Sequence, residues 1–218
     1  MTAIRLVYAL AAAAAAYLPA RSDLTSLRDA AKHCEGCPLF GRATQTVFGS
    51  GPARADIVMV GEQPGDVEDR LGTPFVGPAG KLLDQLLEEA GIERQRVYLT
   101  NAVKHFKWSP RGKRRLHGKP NSREISACQP WLEAELTAIK PDLLVLLGAT
   151  AAQSLLGNQF RITKNRGRPM ETQWAPWTMA TYHPSALLRA IHQPGGEQLR
   201  ADFLSDLQMV AQQLHAMR

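Results

Sequence analysis

The chain has 218 residues, 44% hydrophobic and 21% charged, enough for one sizeable core with no long polar tract dividing it. A formal net charge of +6 favours polyanionic partners, because cations neutralise phosphates and release counterions. Three cysteines cannot complete a set of internal disulfides, which argues against a secreted, disulfide-stapled domain.

In chain order, Arg5 precedes an apolar run from Leu6 to Leu18 that contains Ala11 through Ala16. The run resembles the charged and apolar regions of a signal peptide, but a membrane span needs about 20 apolar residues. It reads as an alanine-rich leader over residues 1–21, followed by a single domain over residues 22–218. Cys34 and Cys37 form a C-x-x-C, in a reducing compartment a metal or redox pattern. Apolar runs at 56–60, 97–101, 143–147 and 178–182 predict strands. They are nearly continuous rather than alternating, as in a parallel sheet covered on both faces. Helices are predicted at 79–90, ending before Gly91, at 122–139, stopping before Lys140-Pro141, at 149–156 and at 199–217. This alternation predicts an α/β fold: three αβα layers around a four-stranded, mainly parallel sheet. Ligands of such sheets bind beyond the carboxyl ends of the strands.

The segments at those ends are unusual. Gly61-Glu62-Gln63-Pro64-Gly65-Asp66 follows the first strand and offers acceptors, an amide and close backbone approach. Alone, it is an ordinary polar loop. Phe75, set among glycines and prolines, is poorly placed for a core and well placed to stack on a base; otherwise it plugs the loop. Asn101 ends the second strand as a cap or a reader of a base edge. A basic insert follows, Lys113-Arg114-Arg115-Leu116-His117, surrounded by Lys104, Lys107, Arg111 and Lys119. Read alone, it is a solvated phosphate-binding loop with an incidental histidine. His183 ends the fourth strand, either structural or a donor to a carbonyl oxygen, and Leu187, Leu188 and Arg189 follow as a possible wedge into a duplex.

Together these segments resemble the uracil-DNA glycosylase superfamily, specifically its family 4 and UdgX-type branch. The resemblance runs from about Leu24 to the C-terminus. It is carried by GEQPG at 61–65, PFVGPAGKLLD at 74–84, TNAVKHFKW at 100–108, CQPWLEAEL at 128–136, LLGATAAQSLLG at 146–157, ITKNRG at 162–167 and HPSALLR at 183–189. The KRRLH insert and Gln63 look UdgX-like rather than ordinary family 4. The resemblance implies that Phe75 stacks on a flipped-out uracil, Asn101 reads its polar edge and His183 stabilises charge on the departing base. Gln63, Gly65 and Asp66 would line the pocket; Ser185, Leu188 and Arg189 would belong to the loop that props the gap in the DNA. Base flipping costs a few kcal/mol, so single-stranded DNA is the expected preference.

Family 4 members hold a [4Fe–4S] cluster with four cysteines. Here Cys34, Cys37 and Cys128 match three of them, and the resemblance makes His105 the fourth ligand. Spacing alone favours a Cys₃His zinc site; the resemblance reverses that choice. The UdgX-type insert implies that His117 traps the sugar C1′ covalently in place of water, with Glu62 to orient or deprotonate it. Lys113, Arg114 and Arg115 would hold the insert on DNA or on the protein. The implied partner is uracil-containing DNA, with no membrane, a monomeric chain and a cytoplasmic location, on the nucleoid in a bacterium. Two alternatives stand beside this: an ordinary turnover family 4 glycosylase and a non-catalytic DNA-binding module with a metal-stabilised fold.

Overall fold

The protein is described by a computed structural model covering residues 13–217, so the first part of the alanine-rich segment lies outside the described residues. Four strands, β1 (Ile57–Gly61), β2 (Val97–Asn101), β5 (Leu143–Leu147) and β6 (Trp177–Thr181), form a parallel sheet in the order β2-β1-β5-β6. The apolar strands divide their side chains between two cores. Val58, Val60, Tyr98, Leu144, Leu146 and Ala180 face one layer, built from α1 (Leu24–Ala31), α4 (Ser122–Ile139) and α5 (Ala149–Leu156). Ile57, Met59, Val97, Leu99, Val145 and Met179 face the other, built from α3 (Pro78–Glu89), α7 (Pro184–Ala190) and α8 (Gly196–Ala216). Period-two alternation is thus present in space though hidden in sequence, because both faces are dry.

Local chemistry explains the helix bounds. Asn121 accepts from the Glu124 amide at 2.9 Å, and the Glu124 carboxylate accepts from the Asn121 amide at 2.7 Å, a reciprocal capping box that starts α4. Strands β1 and β6 each sit one residue away from the predicted run, and α8 starts at Gly196 rather than Leu199. The first turn of α8 is Gly-Glu-Gln, which carries no apolar residue to mark it. Four further helices were not predicted, α1, α2 (Asp66–Leu71), α6 (Ile162–Asn165) and α7, none of them longer than eight residues.

One reading changes. The basic insert is a β-hairpin, not a loop: β3 (Trp108–Arg111) pairs antiparallel with β4 (Arg114–His117). Gly112 takes φ 57° at the first position of the two-residue turn, a conformation glycine adopts without steric cost. The segment Ala13–Tyr17 forms a 3-10 turn with Ala14 buried, and a Cβ on Gly36 would lie 2.8 Å from the Ala14 amide. No helix among the described residues is long and apolar enough to cross a membrane.

Candidate active site

A cleft of about 920 Å³ opens at the carboxyl ends of the strands. The loop after β1 supplies Glu62, Gln63, Gly65 and Asp66, β2 ends in Asn101, and the loop before α3 carries Phe75. The hairpin supplies His117, and His183, Ser185, Leu188 and Arg189 come from β6 and α7. All these residues line one space, whereas Lys113, Arg114 and Arg115 do not. Backbone bonds lock the contributing loops together: Ala102 and Val103 donate to the Gly61 and Glu62 carbonyls at 2.9 and 3.0 Å.

Phe75 corrects the expectation that it avoids the core. It is 7% exposed and belongs to the second core, yet it reaches the cleft, 6.1 Å from His183 with a 30° tilt between rings. Its φ of 58° is unusual for a bulky residue. Glycines accommodate it: a Cβ on Gly61 would lie 2.7 Å from the Phe75 ring and 2.4 Å from Asn101 Oδ1, and one on Gly80 would collide with the Phe75 carbonyl. Larger residues at Gly61 or Gly80 would push the ring or Asn101 off the floor.

His183 caps α7, with its Nδ1 accepting from the Ser185 amide at 3.1 Å. That bond leaves the ring proton on Nε2. Burial pushes the imidazole down to about 4, with the Arg189 and His117 charges adding to the effect. His183 is therefore a neutral N–H donor near neutral pH. Ser185, Leu188 and Arg189 stand on this helix rather than in a loop, and Leu187 is buried in the core, so Leu187 is withdrawn from the wedge.

The hairpin base is tied to Gln63. Its Oε1 accepts from the Lys107 amide at 3.1 Å and its Nε2 donates to the Gly118 carbonyl at 3.0 Å, so backbone groups fix which way the amide faces. The same nitrogen lies 2.9 Å from His117 Nε2. Because that amide nitrogen only donates, His117 Nε2 accepts: its lone pair is directed at the Gln63 amide, on a side chain that lines the cleft. Gln63 lines the cleft, but its amide is committed to the hairpin rather than free for a base. Glu62 Oε1 is 3.8 Å from His117 Nε2, beyond hydrogen-bond range, while Glu62 Oε2 accepts from Thr150 Oγ1 at 2.5 Å. On this tautomer no ring N–H faces Glu62, whose carboxylate stands beside Nε2 as a charge.

The cations around the hairpin are mostly spoken for. Arg115 donates to Asp66 at 2.5 Å and to buried Asp69 at 2.6 Å, and its guanidinium lies 5.4 Å from the Phe106 and Trp108 ring centres. It holds the hairpin on the protein, one of the two roles expected of it. Lys104 is fully buried: it pairs with Glu135 and donates to Thr100 Oγ1 at 2.6 Å and the Asn101 carbonyl at 2.8 Å. Glu135 also accepts from Tyr98 Oη at 2.9 Å and the Gly49 amide at 3.0 Å, so its charge is fully coordinated. Lys107 pairs with Glu124 at 2.8 Å. Neither lysine is part of a phosphate-attracting surface.

Sequence reasoning missed Glu68, Asp69 and Thr150. Buried Glu68 accepts from the Gly77 amide at 2.8 Å across the cleft floor, Asp69 anchors Arg115, and Thr150 orients Glu62. The acidic first turn of α2 was a signal for two of them; nothing local marked Thr150.

Cys34, Cys37 and Cys128 are buried beneath the loop after β2. Cys34 Sγ accepts from Trp131 Nε1 and Cys128 Sγ from the Lys104 amide, each at 3.2 Å. Burial raises the Cys128 thiol to about 12, Lys104 opposing and the two other cysteines adding to it. His105 is 4% exposed, and its Nδ1 has no hydrogen-bond partner among the described residues. Among those residues, no group of three or more His, Cys, Asp or Glu meets single-metal geometry. The unpaired buried imidazole nitrogen and the three buried thiols are the donor types that suit a thiolate-bound metal group.

A family model described as uracil DNA glycosylase superfamily matches residues 48–208. The type-4 uracil-DNA glycosylase of Thermotoga maritima is 43% identical over 159 residues, covering 72% of this chain and 79% of the relative. That of Archaeoglobus fulgidus is 37% identical over 186 residues, covering 82% and 87%. The type-5 uracil-DNA glycosylase of Thermus thermophilus is 34% identical over 173 residues, covering 72% and 67%. With the parallel sheet, the cleft at its carboxyl edge and these matches in agreement, the chain belongs to the uracil-DNA glycosylase superfamily.

Proposed function

We propose that this protein excises uracil from DNA and then remains joined to the abasic C1′ through His117 Nε2. The observation that carries the covalent step is that nitrogen's lone pair, held by Gln63 at 2.9 Å on the cleft wall, with Glu62 3.8 Å away. Uracil enters the cleft flipped out, stacks on Phe75 and meets the Asn101 amide along its polar edge. As the C1′–N1 bond breaks, its electron pair leaves with the base, and the neutral His183 Nε2–H donates to the developing negative charge. The hydrogen bond from Gln63 to His117 Nε2 breaks, and the lone pair it releases forms the new bond to C1′. The resulting imidazolium is stabilised by Glu62 and loses its Nδ1 proton to solvent. Arg115 keeps the hairpin, and so His117, at the cleft wall. Lys113 and Arg114 at the hairpin tip, with Ser185, Leu188 and Arg189 on α7, bind the strand, preferentially single-stranded DNA and as a monomer.

Cys34, Cys37, Cys128 and His105 would hold a [4Fe–4S] cluster. Held by these residues, a cluster would tie α4 and the loop after α1 to the connection between β2 and the hairpin. Iron and sulfide analysis of anaerobically purified protein, with a broad absorbance band near the visible region, tests this assignment against zinc.

Ordinary turnover is the second reading, favoured by relatives named type-4 and type-5 uracil-DNA glycosylases. Incubation with uracil-containing single-stranded DNA separates the two. An adduct resistant to SDS and heat, absent in His117→Ala, is the expected result. Free uracil released repeatedly without an adduct would leave turnover. DNA retention that ignores uracil and disappears with salt would leave only a binding module.

A further inference from the structure

We infer that His105 binds the cluster through Nδ1, and that Thr46 is the positioning residue that makes this nitrogen the ligand. The inference rests on the cluster proposed above and adds the ligating atom and the residue that selects it. Thr46 Oγ1 lies 2.8 Å from the Ala31 carbonyl and 2.9 Å from His105 Nε2. A carbonyl oxygen only accepts, so the single hydroxyl proton of Thr46 points at Ala31. Toward His105 the hydroxyl is therefore an acceptor, and Nε2 carries the ring proton.

The remaining lone pair is on Nδ1, the atom without a partner among the described residues, in a side chain that is 4% exposed. An unpaired buried acceptor is costly, and a metal bond would offset that cost. The surroundings point the same way. Ala31 ends α1, and its carbonyl also accepts from the Cys34 amide at 3.1 Å. His105 follows Lys104, whose amide donates to Cys128 Sγ. Thr46 thus links the histidine to the Cys34 loop through one carbonyl, while the neighbouring backbone amide touches the Cys128 sulfur. An outer hydrogen bond that fixes the tautomer of a metal-binding imidazole is a general device. Here it also keeps the ligand a neutral imidazole, one negative charge fewer than a fourth thiolate. Nitrogen ligation of this kind raises the reduction potential of iron–sulfur centres.

The test uses iron-loaded full-length protein with histidine ¹⁵N-labelled at Nδ1 or at Nε2. Pulsed electron paramagnetic resonance of the cluster in a paramagnetic state should show directly coordinated nitrogen whose coupling changes with the Nδ1 label. A change with the Nε2 label only, or no coordinated nitrogen, overturns the inference while leaving the cluster intact. Protein that carries zinc or no iron removes the cluster proposal and this inference together. Thr46→Ser should keep the wild-type coupling; Thr46→Val should lose iron severalfold faster to a chelator or show a shifted coupling. A Thr46→Val protein with unchanged coupling and iron retention removes Thr46 from the role. His105→Cys, if it loads iron, should lower the midpoint potential, and an unchanged or higher potential counts against a neutral imidazole ligand.

Discussion

His105 and His117 stand at opposite ends of the same connection and have become different reagents. His105 is 4% exposed, with Nε2–H given to Thr46 and the Nδ1 lone pair buried without a partner among the described residues. His117 has a side chain 50% exposed, with the opposite nitrogen, Nε2, holding the lone pair at the wall of an open cleft. In each case one neighbouring polar side chain selects the tautomer, a hydroxyl that accepts in one and an amide that donates in the other. Solvent access decides the rest: a sealed lone pair suits a permanent ligand, and an open one suits a substrate that must enter.

The comparison can be broken most severely at His117, where alanine should abolish the SDS-resistant adduct while leaving the iron content unchanged. Next is Glu62→Gln, which keeps the Thr150 bond but removes the charge 3.8 Å from Nε2. Adduct formation in single-turnover assays should slow by about 10²–10³, the range for loss of one preorganised electrostatic group. Arg115→Ala releases two carboxylates and two aromatic faces, so the hairpin should loosen. A slowing of about 10- to 100-fold is expected, with DNA affinity nearly unchanged, because orientation rather than attraction is lost. An equal loss of affinity would instead place Arg115 among the DNA contacts.

His183 sharpens the contrast through pH. Its folded pKa, about 4, lies below the ordinary 6.5. As pH falls below about 6.5 the unfolded chain gains a proton that the folded chain refuses, so stability declines until about pH 4 and then levels off. His183→Asn should flatten that part of a denaturation-versus-pH profile. The smallest effects belong to Lys113→Ala and Arg114→Ala at the exposed hairpin tip. Each should weaken binding to all sequences alike and reduce the salt dependence by about one phosphate contact.

Much of this site was legible because its parts are local. Glycine-rich and polar segments after apolar runs mark strand ends, and a strand end of a parallel sheet is where a ligand site belongs. The hairpin was less legible: its strands carry three arginines and a proline, with Gly112 as the one turn signal. The basic patch was misjudged for a related reason. Lys104 and Arg115 look alike to a charge count, yet carboxylates from distant segments, Glu135, Asp66 and Asp69, draw both into the protein. Phe75 was read as too irregularly placed for a core, but positive φ and two glycines let one ring serve core and cleft together.

The sequence by itself determined the strands, the α4 boundaries, the three thiols and the glycosylase motifs, because apolar runs, caps and glycines act over a few residues. Tertiary structure decided which cations remain outside and which side of each imidazole holds a proton. Those choices depend on Thr46 meeting His105, Gln63 meeting His117 and Thr150 meeting Glu62. These are pairings across dozens of residues, which no local pattern encodes and only the folded sheet brings together.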